Sequence, residues 1–382
     1  MKYVVCVPDG CADEPLDELG DRTPLEAART PNLDALAARG EVGRAAVIPP
    51  GMPPGSDVGN MSILGYDPTE HHTGRAPIEA AAMGLEVGPD QVAFRCNLVT
   101  VGPDDTMLDF AGGHPDSALA AGVIARLDEQ VGNDEVSFHP GVQYRHCVIA
   151  PRAWAEAECT APHDLTGRPV RGPVGPAAGP LASLMDASRA VLADSPEVEA
   201  TQVWLWGQGA RPTLPAFTDL HGVEAGLVTA VDLVRGLGVL AGIAVHEVEG
   251  ATGLVDTNWE GKRDAALAAL ADGTDLFVIH VEATDESGHA GDVAEKIEGI
   301  ERWDARILGP LVEGLGDLGP WRLLLLPDHP TPCARRTHTS DPVPYLLVDG
   351  RRDGPGGSYS ESAVAPCPPV AGHRLMTRLL SL

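Results

Sequence analysis

Three strongly hydrophobic runs constrain this chain most, because each one leads directly into residues that commonly bind metal ions. The runs are Lys2–Pro8, Leu276–Val281 and Arg322–Pro327, and the polar residues after them are Asp9, then Asp285 and His289, then Asp328, His329 and His338. Short, near-continuous apolar runs are typical of buried parallel strands. In open α/β sheets, binding sites form beyond the carboxyl ends of such strands. The pattern therefore predicts an α/β fold with a mainly parallel sheet flanked by helices, and a polar site at one sheet edge.

The types of residue in this set indicate a pair of divalent metal ions. Carboxylate and imidazole ligands together suit Mn²⁺ or Zn²⁺, whereas an all-oxygen set would favour Mg²⁺ or Ca²⁺. Two ions roughly 4 Å apart can neutralise the oxygens of a phosphoryl group and activate an attacking oxygen. We therefore expect metal-dependent phosphoryl transfer.

The loop Pro49–Gly59 supplies a candidate nucleophile. It holds Ser56 on a turn rich in proline and glycine, which can present a single hydroxyl to the metals. A serine hydroxyl at its ordinary pKa is a poor nucleophile, and coordination to a metal is one way to activate it. Ser56 is thus predicted to be both nucleophile and metal ligand.

Taken singly, most of these residues have a structural alternative. Asp9 begins an Asp-Gly dipeptide, which is common in turns. Asp285 and His289 stand four residues apart, which also describes a solvated helix face. His338 lies in a threonine-rich loop, where a histidine is usually exposed. The metal-site prediction therefore depends on the coincidence of all the elements.

Ten short segments form a further pattern, in constant order from Met1 to about Leu347. They are DGCADEP (Asp9–Pro15), TPLEAARTPNLDALAARG (Thr23–Gly40), PGSD (Pro54–Asp57), LGYDP (Leu64–Pro68), TGRAPIEA (Thr73–Ala80), VAFRCN (Val92–Asn97), WLWGQG (Trp204–Gly209), GATG (Gly250–Gly253), HVEATDESGHAGD (His280–Asp292) and PDHPTPC (Pro327–Cys333). Together they resemble the archaeal-type 2,3-bisphosphoglycerate-independent phosphoglycerate mutases of the alkaline phosphatase superfamily. The resemblance implies an alkaline-phosphatase-like core with an inserted α/β cap domain.

The same resemblance implies interconversion of 3-phosphoglycerate and 2-phosphoglycerate through a phosphoserine on Ser56, with no 2,3-bisphosphoglycerate cofactor. It also implies two divalent ions, with Mn²⁺ expected and Zn²⁺, Co²⁺ or Mg²⁺ as alternatives. It divides the ligands into one set of Asp9, Ser56, Asp328 and His329 and another of Asp285, His289 and His338. The chain departs from the family pattern at Pro330 and at the pair His71-His72, which belong to the rim of the site.

The middle of the chain is expected to form the cap. Residues 1–91 and 200–382 would form the core, and residues 92–199 would be the insertion. Within the core, Gly226–Leu240 predicts a helix and Ala241–Val248 a strand. Candidate substrate-binding residues are Arg75, Arg95, Arg145, Arg168 and Arg211, with His163 and Asp164 as an acid/base pair. Guanidinium groups suit carboxylate and phosphate, although a solvated role for any one arginine is about as common.

Composition excludes several classes of protein. The formal net charge of −28 argues against a nucleic-acid partner, which would require a basic surface. The sequence has no apolar run long enough to cross a membrane and begins at once with a strand, so we expect no membrane association or secretion. Seven cysteines without a C-x-x-C pair fit a reducing cytoplasm. A homo-oligomer is compatible with the sequence, and the acidity fits either salt adaptation or a genomic bias.

Two other functions remain open at this level. A cap that retains the dephosphorylated glycerate gives a mutase, whereas attack by water on the phosphoserine gives a phosphohydrolase. The phosphohydrolase alternative is taken together with a mutase that acts on another small phosphate or phosphonate. A catalytically silent scaffold is the third, and the complete set of seven candidate ligands argues against it.

Overall fold

The computed structural model describes all 382 residues. Its strands are β1 (Lys2–Pro8), β2 (Glu41–Ala46), β3 (Gln91–Val101), β4 (Met107–Asp109), β5 (Ser137–Val142), β6 (Arg145–Pro151), β7 (Gln202–Gly209), β8 (Ala225–Val228), β9 (Ala244–Val245), β10 (Leu276–Val281), β11 (Trp321–Leu325), β12 (Val343–Asp349) and β13 (Val370–Ala371). Its α-helices are α1 (Pro24–Ala27), α2 (Pro31–Ala37), α3 (Ser56–Ile63), α4 (Pro68–His71), α5 (Ala76–Ala82), α6 (Ser117–Val131), α7 (Ala178–Ala193), α8 (Phe217–His221), α9 (Asp232–Ala241), α10 (Trp259–Ala271), α11 (Ala283–Ala290), α12 (Val293–Trp303), α13 (Gly309–Leu318), α14 (Glu361–Val364) and α15 (Arg374–Ser381). No helix has both the length and the apolar character needed to cross a bilayer.

The chain divides into two compact units. Unit 1 comprises Met1–His72 and Leu214–Leu382, and unit 2 comprises Thr73–Thr213. Unit 2 contains the predicted insertion of residues 92–199 and extends past it at both ends. It does so because α5 packs on β3 and β7 pairs with β3, so the segments on either side of the insertion join its sheet.

Unit 1 is built on an eight-stranded sheet in the order β13-β2-β12-β11-β1-β10-β8-β9. The neighbours β11, β1, β10, β8 and β9 are all parallel, while β12 runs antiparallel to both β11 and β2. The predicted mainly parallel sheet is therefore confirmed. In the central register, Val5 of β1 lies between Val278 of β10 and Leu324 of β11.

Burial on both faces explains why the central strands are hydrophobic throughout. Every residue of β10 and β11 is buried. A large core forms against them, in which Phe277 and Leu323 pack with Trp259 of α10 and Leu311 of α13. Since helices cover both faces of a parallel sheet, its strands read as continuous apolar runs rather than alternating ones. Three such strands end side by side, and their polar successors share one edge.

Unit 2 is a smaller α/β layer pair with an antiparallel sheet. Its strand order is β4-β3-β6-β5, and β7 pairs with β3. Helices α6 and α7 pack on this sheet and on each other. The core between them includes Phe94, Ile124, Leu181 and Trp204, all essentially buried.

The predicted helix over Gly226–Leu240 is wrong in its first part. Gly226 lies in β8, opposite Phe277 of β10 in the parallel register, and the helix α9 begins only at Asp232. A Cβ at Gly226 would stand 2.6 Å from the Phe277 ring, so the glycine serves close packing within the sheet. The predicted strand Ala241–Val248 shortens to Ala244–Val245, because α9 continues to Ala241 and ends at Gly242 with a φ of 70°.

A carboxyl group from the C-terminal part of unit 1 accepts hydrogen bonds from the segment that follows β1. Glu361, the first residue of α14, accepts hydrogen bonds from the backbone N–H of Asp13 (2.9 Å) and from Thr23 Oγ1 (2.8 Å). Burial raises the pKa of Glu361 to about 7, against the opposing effect of these hydrogen bonds.

This raised pKa predicts a pH-dependent stability. The folded protein holds the Glu361 proton more tightly than the unfolded chain does, and this difference adds to the free energy of unfolding at low pH. The added stability is lost as the pH rises through about 7. We expect Glu361→Gln to lose less apparent Tm than the wild type between pH 5.5 and pH 8.5, because the amide has no charge to bury. Thermal unfolding followed by circular dichroism at several pH values provides the measurement. Equal losses in both proteins would show that Glu361 does not control this dependence.

Candidate metal centre

The segments after β1, β10 and β11 bring three aspartates together at one edge of the sheet: Asp9 and Asp328 lie on loops, and Asp285 lies in the first turn of α11. Pro8 pairs with Val281 and Cys6 with Leu325, so β1 and β10 end together and β11 ends two residues before them. Three groups of side chains each have ligand atoms within 4.8 Å of one another: Asp9, Asp328 and His329; Asp285, His329 and His338; and Asp9, Glu282 and Asp285. The edge is therefore densely acidic, with imidazoles among the carboxylates.

Asp9 is a fully buried carboxyl group of this edge that lacks hydrogen-bond donors. Both of its carboxylate oxygens are buried and accept no hydrogen bond. The nearest ring nitrogens are His280 Nε2 at 3.2 Å and His329 Nε2 at 3.5 Å. Burial, followed by the negative charges of Asp328 and Asp285, raises the pKa of Asp9 well above its usual range. A bound cation would supply the missing positive charge.

Asp285 faces two histidines from different parts of the chain. His289 Nε2 lies 3.4 Å from Asp285 Oδ2, and His338 Nε2 lies 3.5 Å from Asp285 Oδ1. The two Nε2 atoms are themselves 2.8 Å apart. Burial opposes ionisation of Asp285, but its hydrogen bonds with the two histidines hold its pKa well below the usual range. The same hydrogen bond with Asp285 raises the pKa of His289.

Ser56 is the first residue of α3, and this helix is fixed to the loop that follows β11. Ser56 Oγ lies 3.2 Å from His329 Nε2. Asn60 Nδ2 donates both to the Ser56 carbonyl (3.0 Å) and to Asp328 Oδ2 (2.7 Å). Gly59 lies so close to this loop that a Cβ there would stand 2.1 Å from the Asp328 carbonyl oxygen. The serine hydroxyl thus stands beside the acidic cluster, at the positive end of a short helix.

The seven predicted ligands therefore lie in one cluster: Asp9, Ser56, Asp285, His289, Asp328, His329 and His338. Their side chains fit divalent cations. Buried carboxylate oxygens without hydrogen-bond donors are costly unless a positive charge accompanies them. Mixed oxygen and imidazole donors suit Mn²⁺, Zn²⁺ or Co²⁺.

Sequence reasoning missed several residues of this centre. Glu282 follows β10 directly, and its pKa rises to about 8 because of burial and then the charges of Glu286 and Asp285. Lys262 of α10 donates to the His280 carbonyl (3.2 Å), and burial lowers its pKa to about 8. Lys262 stands out in the sequence only as one of three lysines, Lys2, Lys262 and Lys296. His280 sits inside a hydrophobic strand, where no local pattern marks it.

Several of the residues predicted to bind substrate gather in unit 2. Arg95 Nε lies 2.8 Å from Glu79 Oε2, and its guanidinium carbon stands 4.3 Å above the Trp206 ring. Burial, together with the charges of Arg75 and Arg145, lowers the pKa of Arg95. These three arginines are therefore close enough to act on one another, and Glu79 lies beside both Arg75 and Arg95.

The predicted acid/base pair lies on the same unit. The His163 ring packs edge-on against Trp206, with ring centroids 5.4 Å apart. His163 Nε2 lies 3.8 Å from Asp164 Oδ1, and the two side chains are 50% and 66% exposed. Burial lowers the pKa of His163, aided by the charges of Arg95 and Arg75 and opposed by Asp164. Arg168 donates to the Asp164 carbonyl (3.4 Å), and both Arg168 and Arg211 are exposed.

The parallel sheet, the buried carboxylate and histidine cluster and the helix-borne serine form the arrangement expected of a metal-dependent α/β phosphotransferase. A family model described as 2,3-bisphosphoglycerate-independent phosphoglycerate mutase matches residues 37–197. A curated protein from Geobacter sulfurreducens, named as a probable enzyme of this kind, is 44% identical over 402 aligned positions and covers 100% of both chains. One from Methanothrix thermoacetophila with the same enzyme name is 46% identical and covers 91% of each chain.

Solved structures agree with these relatives. A protein from Pyrococcus horikoshii matches with a TM-score of 0.80 at 27% identity, covering 99% of this chain and 97% of its own. A cofactor-independent phosphoglycerate mutase from Thermoplasma acidophilum matches with a TM-score of 0.65 at 25% identity, covering 100% and 99%. The chain belongs to the 2,3-bisphosphoglycerate-independent phosphoglycerate mutase family, and the resemblance seen in the sequence is confirmed.

Gly59 lies so close to Asp328 that adding a single methyl group at residue 59 should destabilise the protein. We expect Gly59→Ala to lower stability by about 1–3 kcal/mol through overpacking, and to weaken Mn²⁺ binding because Asp328 must move. Gly122, in the middle of α6, is the matched control, since a Cβ there meets only Arg126 Nη1 at 4.0 Å. Gly122→Ala should stabilise the protein by about 0.5–1 kcal/mol. Thermal unfolding and metal titration check both variants, and wild-type values for Gly59→Ala would refute the close approach.

Proposed function

We propose that this chain interconverts 3-phosphoglycerate and 2-phosphoglycerate without 2,3-bisphosphoglycerate, by transferring the phosphoryl group to Ser56 and back. The observation that carries this proposal is the position of Ser56 Oγ, 3.2 Å from His329 Nε2 at the edge of a buried acidic cluster. Relatives that match the whole or nearly the whole chain at 44–46% identity carry the name of this enzyme. The substrate is accordingly a small phosphorylated acid.

Two ligand sets are proposed for two divalent ions, and His329 lies within reach of members of both. One set is Asp9, Ser56, Asp328 and His329, and the other is Asp285, His289 and His338. When bound, such ions neutralise charge on the phosphoryl oxygens and favour the deprotonated serine. Mn²⁺ is the proposed metal because the donors mix carboxylate and imidazole.

The residues around Ser56 hold it in place for attack on phosphorus. Asn60 fixes the Ser56 carbonyl and Asp328 at once, so the nucleophile and a metal-binding carboxylate keep a constant spacing. In the first step, Ser56 Oγ gives up its proton, the bond between Ser56 Oγ and phosphorus forms, and the bond between phosphorus and the glycerate oxygen breaks. The leaving glycerate oxygen takes up one proton. In the reverse step, the other glycerate hydroxyl gives up its proton and attacks phosphorus, and Ser56 Oγ leaves and takes up a proton again.

His163 and Asp164 are proposed to transfer the protons of the glycerate hydroxyls. A lowered pKa favours the neutral form of the His163 imidazole, which can accept the proton of the attacking glycerate hydroxyl in the reverse step and then release it. Half of the His163 side chain is exposed, which leaves the ring accessible to a ligand. Asp164 would orient the ring.

The arginines of unit 2 are proposed to bind the carboxylate and phosphate of the substrate. Arg95 is the most rigid of them, since it is paired with Glu79 and stacked on Trp206. Arg75 and Arg145 lie in the same electrostatic neighbourhood, and Arg168 and Arg211 are more exposed. Bidentate contacts to carboxylate or phosphate favour retention of the glycerate over its escape. Retention is what separates a mutase from a phosphohydrolase.

A cytoplasmic location is proposed from the cysteines. All seven are free thiols, and five of them are buried. Burial raises the pKa of Cys6, for example, to about 12, so the thiol is inert.

The nucleophile is tested with two serines of the same helix. Ser56→Ala should lower mutase turnover on the order of 10³-fold or more, since the attacking oxygen is gone. Ser62→Ala is the matched control: Ser62 Oγ is buried without a hydrogen-bond partner, and its removal should leave turnover nearly unchanged. The assay follows 2-phosphoglycerate and free phosphate from 3-phosphoglycerate with Mn²⁺ and no 2,3-bisphosphoglycerate.

The products of the wild-type enzyme decide between the two reactions. Formation of 2-phosphoglycerate without free phosphate supports the mutase. Release of phosphate alone would show a phosphohydrolase, and substantial mutase turnover by Ser56→Ala would exclude the phosphoserine route.

A further inference from the structure

A fully buried ion pair lies beside the metal centre but belongs to neither proposed ligand set. Lys296 Nζ of α12 stands 2.8 Å from Asp13 Oδ2, and both side chains are 0% exposed. Removing two charges from water carries a penalty of several kcal/mol per ion, which the attraction between them does not always offset. A contribution to stability therefore does not by itself explain why the chain has this buried ion pair.

The contacts of the pair join the two loops that carry metal-binding aspartates. Besides Asp13, Lys296 Nζ donates to the Thr331 carbonyl (2.8 Å) and reaches the Ala12 carbonyl at 3.5 Å. Asp13 Oδ2 in turn accepts from the backbone N–H of Cys333 (3.1 Å). One ammonium group thus holds the loop after β1 to the loop after β11, and it does so from a third element, α12.

Thr331 connects this pair to the proposed ligands. Its Oγ1 donates to Asp285 Oδ1 and lies 3.2 Å from His329 Nδ1. Its backbone N–H donates to the Ala12 carbonyl at 3.1 Å. Asp285 and His329 stand in different ligand sets, so a displacement of Thr331 would disturb both.

We propose that Lys296 and Asp13 are positioning residues that fix the spacing between the two metal-binding groups. The pair holds the Thr331 carbonyl, and the Thr331 hydroxyl then sets Asp285 relative to His329. This inference rests on the proposed function, since it takes the cluster to be a two-metal centre. It adds a role for residues that contact neither metal nor substrate.

A second buried ion pair provides the matched comparison. Arg322 Nε of β11 lies 3.2 Å from Asp349 Oδ2, with side chains 7% and 6% exposed. Arg322 stands near the start of β11, away from the carboxyl edge, and Arg322 Nη1 donates to the carbonyls of Leu379 and Leu380. Loss of this pair should lower stability without disturbing the metal centre.

The test compares Lys296→Met and Asp13→Asn with Arg322→Met. Isothermal titration with Mn²⁺ measures affinity and stoichiometry, electron paramagnetic resonance of the loaded protein reports the coupling between the two ions, and thermal unfolding measures stability. We expect at least a tenfold loss of Mn²⁺ affinity and an altered coupled signal in Lys296→Met and Asp13→Asn. Arg322→Met should lose Tm while keeping the wild-type affinity and signal.

A double variant covers the case in which a single charge left buried prevents folding. Lys296→Met with Asp13→Leu removes both charges, which restores stability in some buried pairs, and it should still show weak Mn²⁺ binding. Two Mn²⁺ ions bound with wild-type affinity and signal in the folded Lys296→Met or double variant would overturn the positioning role. A wild-type protein that binds fewer than two ions would overturn the proposed metal centre itself, and the inference with it.

Discussion

The repulsion among three buried aspartates is the constraint on which the rest of this molecule depends. Asp9, Asp285 and Asp328 follow neighbouring parallel strands, and the sheet register brings them to one edge. Like charges at such distances in a low-dielectric environment repel strongly. The effect is visible in Asp9, whose pKa is raised by burial and by its two neighbours. Bound cations would offset this repulsion, and they would let an acidic chain bind an anionic substrate.

The surroundings of the aspartates keep them from moving apart. Asn60 joins the start of α3 to Asp328, and the absence of a side chain at Gly59 lets the helix touch the same loop. Gly10 holds a φ of +60°, and a Cβ there would stand 2.5 Å from Asp285 Oδ1. The glycines and the hydrogen bonds of Asn60 thus allow close packing around the aspartates. Close packing of this kind resists relaxation. The same rigidity would favour a constant geometry during the proposed transfer to and from Ser56.

The clustering of the three aspartates could be predicted from the sequence, because each of them comes within four residues of the end of a hydrophobic run. His280, Glu282 and Lys262 could not be predicted this way, since they lie within or just after elements whose pattern already had a structural explanation. Gly226 misled the helix prediction because its role depends on Phe277, a residue distant in the chain that only the sheet register brings close. Unit 2 also extends past the predicted insertion of residues 92–199, since the pairing of β7 with β3 joins distant segments. Local patterns reveal strand ends well and tertiary partners poorly.

The most direct test is the location of the metals themselves. Crystals grown with Mn²⁺ and measured near its absorption edge would show each ion as an anomalous peak. We expect two peaks, one contacted by Asp9, Asp328 and Ser56 and the other by Asp285, His289 and His338. A single peak, or peaks that contact none of the three aspartates, would contradict the two-metal centre.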